Sequence, residues 1–356
     1  MSLTLNTPAR VALTLALAFA AAEACVAMAT PIPWMIGPLV VTAMASIAGG
    51  PTESWAPFRN AGQWVIGVVL GLYFTPEVVA LLRNIGWAIA ASIAWALALG
   101  GGFGLWLHRG HAARFGGSSR QQRATSYFAG AIGGASEMTL LAEREGARTD
   151  LVASAHSLRL LIVTLVLPFA FTFSGLHGID LTPPGPRHAQ WPGLALLALG
   201  TGAGGWAMRR LGRTNPWFMG ALLVSMGLTM ANVHLSAMPQ VLTNAAQLVI
   251  GVSLGVRFRA EFVHTAPRWL GAVALGTVVM IVLCAGFALL LALGTGLHPA
   301  TLVLGTSPGG ITEMAITAKV LQLGVPVVTA LQVCRLVAVL VLLEPLFSLL
   351  HGRGAD

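Results

Sequence analysis

The sequence predicts an all-α polytopic membrane protein made of two inverted-topology repeats. Of its 356 residues, 56% are hydrophobic and only 9% are charged, whereas charged residues make up about a quarter of an ordinary soluble domain. Apolar runs of about 20 residues, long enough to cross a bilayer as a helix, recur along the whole chain. Short motifs appear once in each half, and basic residues are distributed among the loops as inversion requires.

The repeats are placed at residues 1–180 and 191–356, and a proline-rich linker joins them at 181–190. Each repeat contains six apolar segments. Those of the first repeat are about 9–29, 33–49, 58–74, 84–107, 125–143 and 151–174, and those of the second are about 192–209, 216–232, 240–256, 268–293, 299–321 and 326–349.

Two motifs define the repeat. Residues 33–39 read Pro-Trp-Met-Ile-Gly-Pro-Leu, and residues 216–222 read Pro-Trp-Phe-Met-Gly-Ala-Leu. Residues 133–138 read Gly-Gly-Ala-Ser-Glu-Met, and residues 309–314 read Gly-Gly-Ile-Thr-Glu-Met. Related sequences in two halves are typical of secondary transporters, whose binding site lies where the repeats meet.

The loops indicate that the repeats are inverted, because basic loops mark the cytoplasmic side of a membrane protein. The loop after the fourth segment is basic in the first repeat, and its counterpart at 294–299 has no basic residue. The loop after the first segment is basic in the second repeat, and its counterpart at 30–32 has none. Inversion requires an odd number of crossings per repeat, and both termini are then cytoplasmic. The basic residues of these loops are Arg109, Arg114, Arg120 and Arg123 in the first repeat and Arg209, Arg210 and Arg213 in the second.

The fifth segment of each repeat contains the glycine pair, and it is the segment that we expect not to cross the membrane. Glycine lets the backbone reverse without a side-chain clash, and irregular backbone at membrane depth is tolerated where it lines a cavity. Each repeat is therefore expected to have about five crossing helices and one re-entrant or broken helix. The two tips are Gly133 with Gly134, and Gly309 with Gly310.

The residues after each tip have the chemistry of a binding site. A helix that begins at a tip exposes its first amides and the positive end of its dipole to a solute. Ser136 or Thr312 adds a hydroxyl group there. Glu137 and Glu313 either neutralise the helix start or act as coupling sites that take up a proton or ligate a driving cation. Burial raises the pKa of a carboxyl group, which suits proton coupling.

Two arginines lie within the sixth segments. Arg159 follows Glu137 by 22 positions, and Arg335 follows Glu313 by 22 positions. An ionisable residue inside a membrane is a candidate functional residue. Each arginine is expected to contact the glutamate of its own repeat, because an unpaired buried charge is costly. Direct contact with a substrate is an equally good interpretation, and the two are compatible.

Four amide side chains are further candidates for the lining of the site. Asn60 and Gln63 are three residues apart and share a helix face, as do Asn244 and Gln247. They can act as donors and acceptors to a solute, or they can form hydrogen bonds between helices.

No enzyme, metal site or cofactor is expected. The nine histidines and three cysteines show no metal-ligand spacing, and no nucleophile triad, Walker loop or dinucleotide fingerprint is found. The net charge of +8 comes from loops that membrane topology makes basic. It therefore does not indicate a nucleic-acid partner.

The motifs at 33–39 and 133–138, with Ala-His-Ser-Leu-Arg-Leu at 155–160, resemble the bacterial AbrB family of membrane proteins over nearly the whole chain. Its members are labelled ammonia monooxygenase or regulator. The resemblance implies a duplicated, transporter-like fold in the inner membrane, akin to the cation/anion exchanger superfamily. The first tip departs from the family pattern, because Ile132 stands where the second tip has Pro308, so the first hairpin is expected to bend less sharply. Copper or iron oxidation would need clustered ligands, which the chain lacks.

The expected function is secondary active transport of a small polar organic solute, coupled to H⁺ or Na⁺. Two arginines and two helix N-termini favour an anionic or zwitterionic solute, and an elevator-type movement and a homodimer are compatible with this fold. The expected partners are the solute, the coupling ion and the lipid bilayer. Two alternatives stay open, a membrane-embedded regulator or sensor without transport, and a channel.

Overall fold

The computed structural model describes residues 6–111, 117–176, 188–213, 215–258 and 267–351. Every regular element in these ranges is an α-helix. In chain order the helices are α1 (Thr7–Ala27), α2 (Pro33–Ile47), α3 (Ala56–Gly71), α4 (Pro76–Asn84), α5 (Gly86–His111), α6 (Ser119–Gly130), α7 (Ala135–Arg144), α8 (Thr149–Phe173), α9 (Trp191–Arg210), α10 (Pro216–Met230), α11 (Gln240–Gly255), α12 (Pro267–Thr295), α13 (Pro299–Thr306), α14 (Ile311–Val320) and α15 (Val325–His351).

Five of these helices, α1, α5, α8, α12 and α15, are long and apolar enough to cross a bilayer. Helices α3 and α4 together form a sixth candidate, although they are bent by 84° at the break between them. Helices α2, α10 and α11 are apolar but shorter. The protein is therefore an all-helical polytopic membrane protein, as the sequence predicted, and the inverted orientation of its repeats stays a prediction.

Both glycine pairs lie at a break between two helices. Residues 131–134 separate α6 from α7, and residues 307–310 separate α13 from α14. The residue that ends each preceding helix has nearly the same backbone conformation, with φ −56° and ψ 142° at Ala131 and φ −60° and ψ 148° at Ser307. The first helix thus ends in the same way as the second although its tip lacks proline, and the gentler bend expected there is not seen at this residue.

The helices form two compact units, and each unit combines segments of both repeats. The first unit comprises residues 1–83, 168–264 and 315–326, and the second comprises residues 84–167, 265–314 and 327–356. Helices α1–α3 and α9–α11 thus belong to the first unit, and both glycine tips belong to the second. The partition into units therefore differs from the partition into sequence repeats.

The first unit contains glycine contacts between the two repeats, which we call crossed glycine contacts. Helix α3 packs on α10, and α11 packs on α2. A β-carbon built on Gly67 of α3 would lie 2.5 Å from the carbonyl oxygen of Phe218, and one on Gly251 of α11 would lie 2.5 Å from that of Met35. The next glycine of each helix, four residues later, is equally tightly packed. Small residues at this spacing let membrane helices approach closely, so the third helix of each repeat packs on the second helix of the other.

The second unit has an apolar core that joins helices of both repeats. The indole of Trp269 on α12 donates to the carbonyl oxygen of Leu151 on α8 over 3.2 Å. The hydroxyl of Tyr127 on α6 donates to the carbonyl oxygen of Leu343 on α15 over 3.1 Å. These contacts join helices of both repeats in one core, which includes Ala131 and Ile132 beside the first tip. The large side chains of the buried core include Phe103, Phe128, Trp269, Met280 and Phe347.

Candidate functional site

The first arginine cluster lies where α6 ends. Arg159, on α8, is only 2% exposed. Its Nη2 donates to the carbonyl oxygen of Ala131 over 2.7 Å, and its Nη1 lies 3.4 Å from the carbonyl oxygens of Ala129 and Gly130. Nη2 also lies 2.6 Å from Nδ1 of His156, one turn earlier on α8. The guanidinium group therefore binds the carbonyl groups that a helix leaves unpaired at its C-terminus.

The second arginine cluster has the same construction where α13 ends. Arg335, on α15, is 5% exposed. Its Nη1 donates to the carbonyl oxygen of Ser307 over 2.7 Å, and its Nη2 donates to that of Gly309 over 3.0 Å. Nη2 also donates to Oε1 of Gln332, whose Nε2 in turn donates to the carbonyl oxygen of Leu304 over 2.7 Å. A cation is favoured at the negative end of a helix dipole, so both arginines stabilise a helix C-terminus.

The two glutamates lie at the other end of each break. Glu137 and Glu313 are the third residues of α7 and α14. Their Oε2 atoms lie so close to the α-carbons of Gly134 and Gly310 that a β-carbon on either glycine would collide with them. A glutamate at the third helical position can turn back toward the residue that caps the helix start. The carboxylates therefore lie at the positive ends of α7 and α14.

The sequence predicted contact between each arginine and the glutamate of its own repeat. The hydrogen bonds that the structure shows for Arg159 and Arg335 go to backbone carbonyl oxygens and to the side chain one turn earlier, and contact with the glutamates stays a prediction. Each break creates two helix ends of opposite polarity. The cation stabilises one end and the anion the other.

The first glycine of each pair makes room for a methionine. A β-carbon on Gly133 would lie 2.7 Å from Cε of Met138, and one on Gly309 would lie 2.7 Å from Cγ of Met314. Both methionines are fully buried. The repeated motif is therefore a packing unit, in which the first glycine admits the methionine and the second admits the carboxylate.

The two arginine clusters are close to each other. Arg335 binds the carbonyl oxygen of Gly309 at the second tip, and this tip contacts the helix that carries Arg159. A β-carbon on Gly310, at the second tip, would lie 3.3 Å from Cδ2 of Leu160, the neighbour of Arg159. Within the described part of the chain, the buried Nε of Arg335 has no hydrogen-bond partner. Two buried arginines, two buried glutamates and two helix N-termini thus lie in one unit.

The other predicted site residues have different surroundings. Thr312, at the start of α14, is 8% exposed and belongs to the second tip. Ser136 lies in α7, but its side chain is outside the described part of the structure.

The four amides belong to the first unit, and the two tips belong to the second. Gln63 donates to Oδ1 of Asn215 over 3.2 Å, and Asn244 accepts from Gln240 over 2.8 Å. Gln247 is 3% exposed, and Asn60 is half-buried. Hydrogen bonding between neighbouring helical segments, one of the two predicted roles, is thus seen for Gln63.

Sequence reasoning missed the partners of the arginines. His156 and Gln332 lie one turn before Arg159 and Arg335 and contact them in the same way. The signal was available, because the two residues occupy equivalent positions in the repeats. It was weak because histidine and glutamine differ in chemistry.

Comparison with known proteins places the chain among bacterial relatives. The family described as "Transition state regulatory protein AbrB" matches residues 34–351. A Bacillus subtilis (strain 168) protein named "Uncharacterized protein YhjN" is 26% identical over 349 residues, which cover 90% of this chain and 88% of the relative. An Escherichia coli (strain K12) protein named "Putative regulator AbrB" is 25% identical over 320 residues, which cover 87% of each chain. The residues that match the family include both tips and both arginines.

Proposed function

The chain belongs to the AbrB family, and we propose that it is a secondary active transporter of a small anionic or zwitterionic organic solute. One observation carries this proposal. Two broken helices, one from each repeat, place their N-termini in one unit, and a buried arginine binds backbone carbonyl oxygens at each break. Discontinuous helices of this kind form the substrate sites of many secondary transporters.

The solute would bind through its anionic group. Nε of Arg335 is a buried donor without a partner among the described residues, and a charged donor binds a carboxylate more strongly than a neutral donor does. The amides at the starts of α7 and α14 would add further donors. Opposite charges on Arg335 and the solute would then offset the cost of keeping two guanidinium groups close together.

Coupling would involve Glu137 and Glu313, with H⁺ or Na⁺ as the driving ion. Both carboxylates are buried, with 4% and 8% exposure, and both lie at the tips. A proton or a cation bound there would remove the negative charge beside the solute. Binding of the ion and of an anionic solute would thus favour each other.

Transport would follow an elevator-type movement in which the unit with both tips moves as one body. The arginine clusters tie each tip to α8 or α15 of the same unit, so the tips can move together without losing these bonds. Under this proposal the protein is a multi-pass protein of the bacterial inner membrane with cytoplasmic termini, and it acts as a homodimer.

A regulator without transport is the second candidate. It is favoured by the description of the matching family and by the name of the Escherichia coli relative. A solute that binds at the tips without being moved would serve such a role. A channel is the third candidate, since the same tips can line a pore.

A thermal-shift screen of the purified protein against organic anions and amino acids, with and without sodium and across pH, tests the binding site. The best compound is then used in liposomes that contain the protein. Saturable uptake with counterflow supports a carrier. Binding without flux supports the regulator, and flux that neither saturates nor shows counterflow supports a channel.

A further inference from the structure

The two arginine clusters differ in the side chain one turn before the arginine. It is His156 in the first cluster and Gln332 in the second, with exposures of 1% and 0%. Both side chains contact the arginine and a carbonyl oxygen of the helix that ends at the tip. An imidazole ring can bind a proton and an amide cannot. The two tips should therefore respond differently to protons.

The contacts of His156 determine where its hydrogen lies. Nδ1 is 2.6 Å from Nη2 of Arg159, and Nε2 is 2.9 Å from the carbonyl oxygen of Phe128. A guanidinium nitrogen only donates, and a carbonyl oxygen only accepts. The ring is therefore neutral, with its hydrogen on Nε2 and the lone pair of Nδ1 directed at Arg159.

Gln332 reproduces this pattern without a titratable group. Its Nε2 donates to the carbonyl oxygen of Leu304 over 2.7 Å, and its Oε1 accepts from Arg335. Leu304 in the second repeat corresponds to Phe128 in the first, since each lies three residues before the one that ends its helix. An amide oxygen stays an acceptor at any physiological pH. The second cluster therefore keeps its hydrogen bonds in acid.

We propose that His156 is a proton-binding site that releases the first tip. A proton can be added only at Nδ1, where it removes the acceptor that Arg159 uses. It also places an imidazolium beside a buried guanidinium group, and like charges repel strongly where water is excluded. The protonated ring and the closed cluster therefore exclude each other. Arg159 must leave His156, which loosens its bonds to the carbonyl groups of residues 129–131.

The groups around His156 support this linkage. Arg159, on the same helix, is the charged group that acts on the ring, and α6 and the tip present the neutral backbone of Phe128 and Gly133. Arg335, on α15, binds the carbonyl oxygen of Gly309, and Leu160, the neighbour of Arg159, packs against Gly310. Glu137, the buried carboxylate of the first tip, lies at the start of α7, whereas the ring binds the end of α6. Protonation of the ring therefore places a positive charge directly beside the guanidinium group of Arg159.

For transport, this inference rests on the proposed function, because it names the proton as a coupling ion and the first tip as the place where it acts. Acid on one side of the membrane would loosen one tip and leave the other closed. The proton linkage itself is a property of the fold and is measurable without a solute.

Hydrogen–deuterium exchange of the purified full-length protein at several pH values tests the proposal. Exchange rates are corrected for the chemical effect of pH. Peptides within residues 128–138 report the first tip, and peptides within 304–314 report the second as an internal control. Protection of the first tip is expected to fall by up to about tenfold per pH unit on acidification, because one proton is linked to opening. Protection of the second tip should change little.

Two variants make the assignment specific. His156→Gln installs the side chain that the second cluster uses, so the first tip should stay protected at every pH. Gln332→His should transfer the pH response to the second tip. The proposal is wrong if the first tip responds to pH in His156→Gln, or if neither tip of the wild-type protein responds. A pH response of the first tip in a protein that transports no solute would contradict the transporter proposal and would still support proton binding at His156.

Discussion

The carboxylate of Glu313 turns back over Gly310, and its Oε2 occupies the space that a β-carbon on that glycine would need. Glu137 and Gly134 have the same relationship at the first tip. Only glycine fits at this position, because the carboxylate of the glutamate three residues later occupies the space of a β-carbon. The carboxylate in turn lies at the positive end of its own helix, where a negative charge is favoured.

Gly310→Ala should destabilise the protein, because the new methyl group displaces the carboxylate from the helix start. We expect the free energy of unfolding to fall by about 1–3 kcal/mol, measured by thermal or denaturant unfolding in detergent. Gly102→Ala is the matched control, since Gly102 lies inside α5 and a β-carbon there meets no atom within 4 Å. It should be neutral or slightly stabilising. Adding Glu313→Ala to Gly310→Ala should cost little more, and a fully additive loss would show that the collision is not the cause.

Arg335→Ala should open the second break, because it removes three hydrogen bonds and leaves the carbonyl groups of Ser307 and Gly309 without their partner. We expect a loss of roughly 2–4 kcal/mol in unfolding free energy, since hydrogen bonds to charged groups are among the stronger ones. Arg83→Ala, at an exposed arginine of α4, should stay within about 0.5 kcal/mol of the wild type. Equal losses in both variants would contradict a capping role for Arg335.

Glu313→Gln should abolish ion-driven accumulation of the solute without unfolding the protein. Glutamine keeps the size of the side chain but cannot exchange a proton or attract a cation. Uptake into liposomes under an imposed gradient, with a compound found by the thermal-shift screen, measures this effect. Glu77→Gln, at an exposed position of α4, is the control. Normal accumulation by Glu313→Gln would leave the glutamate with a structural role alone.

Equivalent loops of the repeats should face opposite sides of the membrane. In a variant without Cys25, Cys284 and Cys334, a cysteine at position 113 should react from the cytoplasmic side. A cysteine at Leu297 should react from the outside. A membrane-impermeant thiol reagent on intact cells and on inverted vesicles distinguishes the two. Labelling of both positions from one side would rule out the inverted arrangement.

The sequence predicted the helix breaks because two glycine pairs interrupt apolar segments at equivalent positions. It also identified Arg159 and Arg335, since charges in such segments are rare. It did not predict what they bind. The spacing of 22 residues to each glutamate indicated that the two residues belong to one structure, but spacing cannot tell which end of a broken helix a side chain reaches. The carbonyl groups that they bind belong to the backbone, which is the same in every residue, so the sequence does not mark them.

Helix α4 and the amides show a second limit of sequence reasoning. Helix α4 (Pro76–Asn84) has no buried residue and fell between two predicted segments, because nine residues are too few for a clear apolar pattern. Asn60 and Gln63 matched Asn244 and Gln247 as well as any site residue did, yet they belong to the first unit. Repetition in sequence predicted that the two pairs are equivalent in structure, and their role at a binding site stays a prediction.

The crossed glycine contacts have a consequence for biosynthesis. Gly67 and Gly71 of α3 pack against α10, and Gly251 and Gly255 of α11 pack against α2. Helix α3 therefore leaves the ribosome and enters the membrane long before the surface it fits has been translated. The first half of the chain must wait in the bilayer, or beside the insertion machinery, with its glycine face uncovered. Neither half is a finished folding unit, so two fragments made as separate polypeptides should find each other and assemble in the membrane.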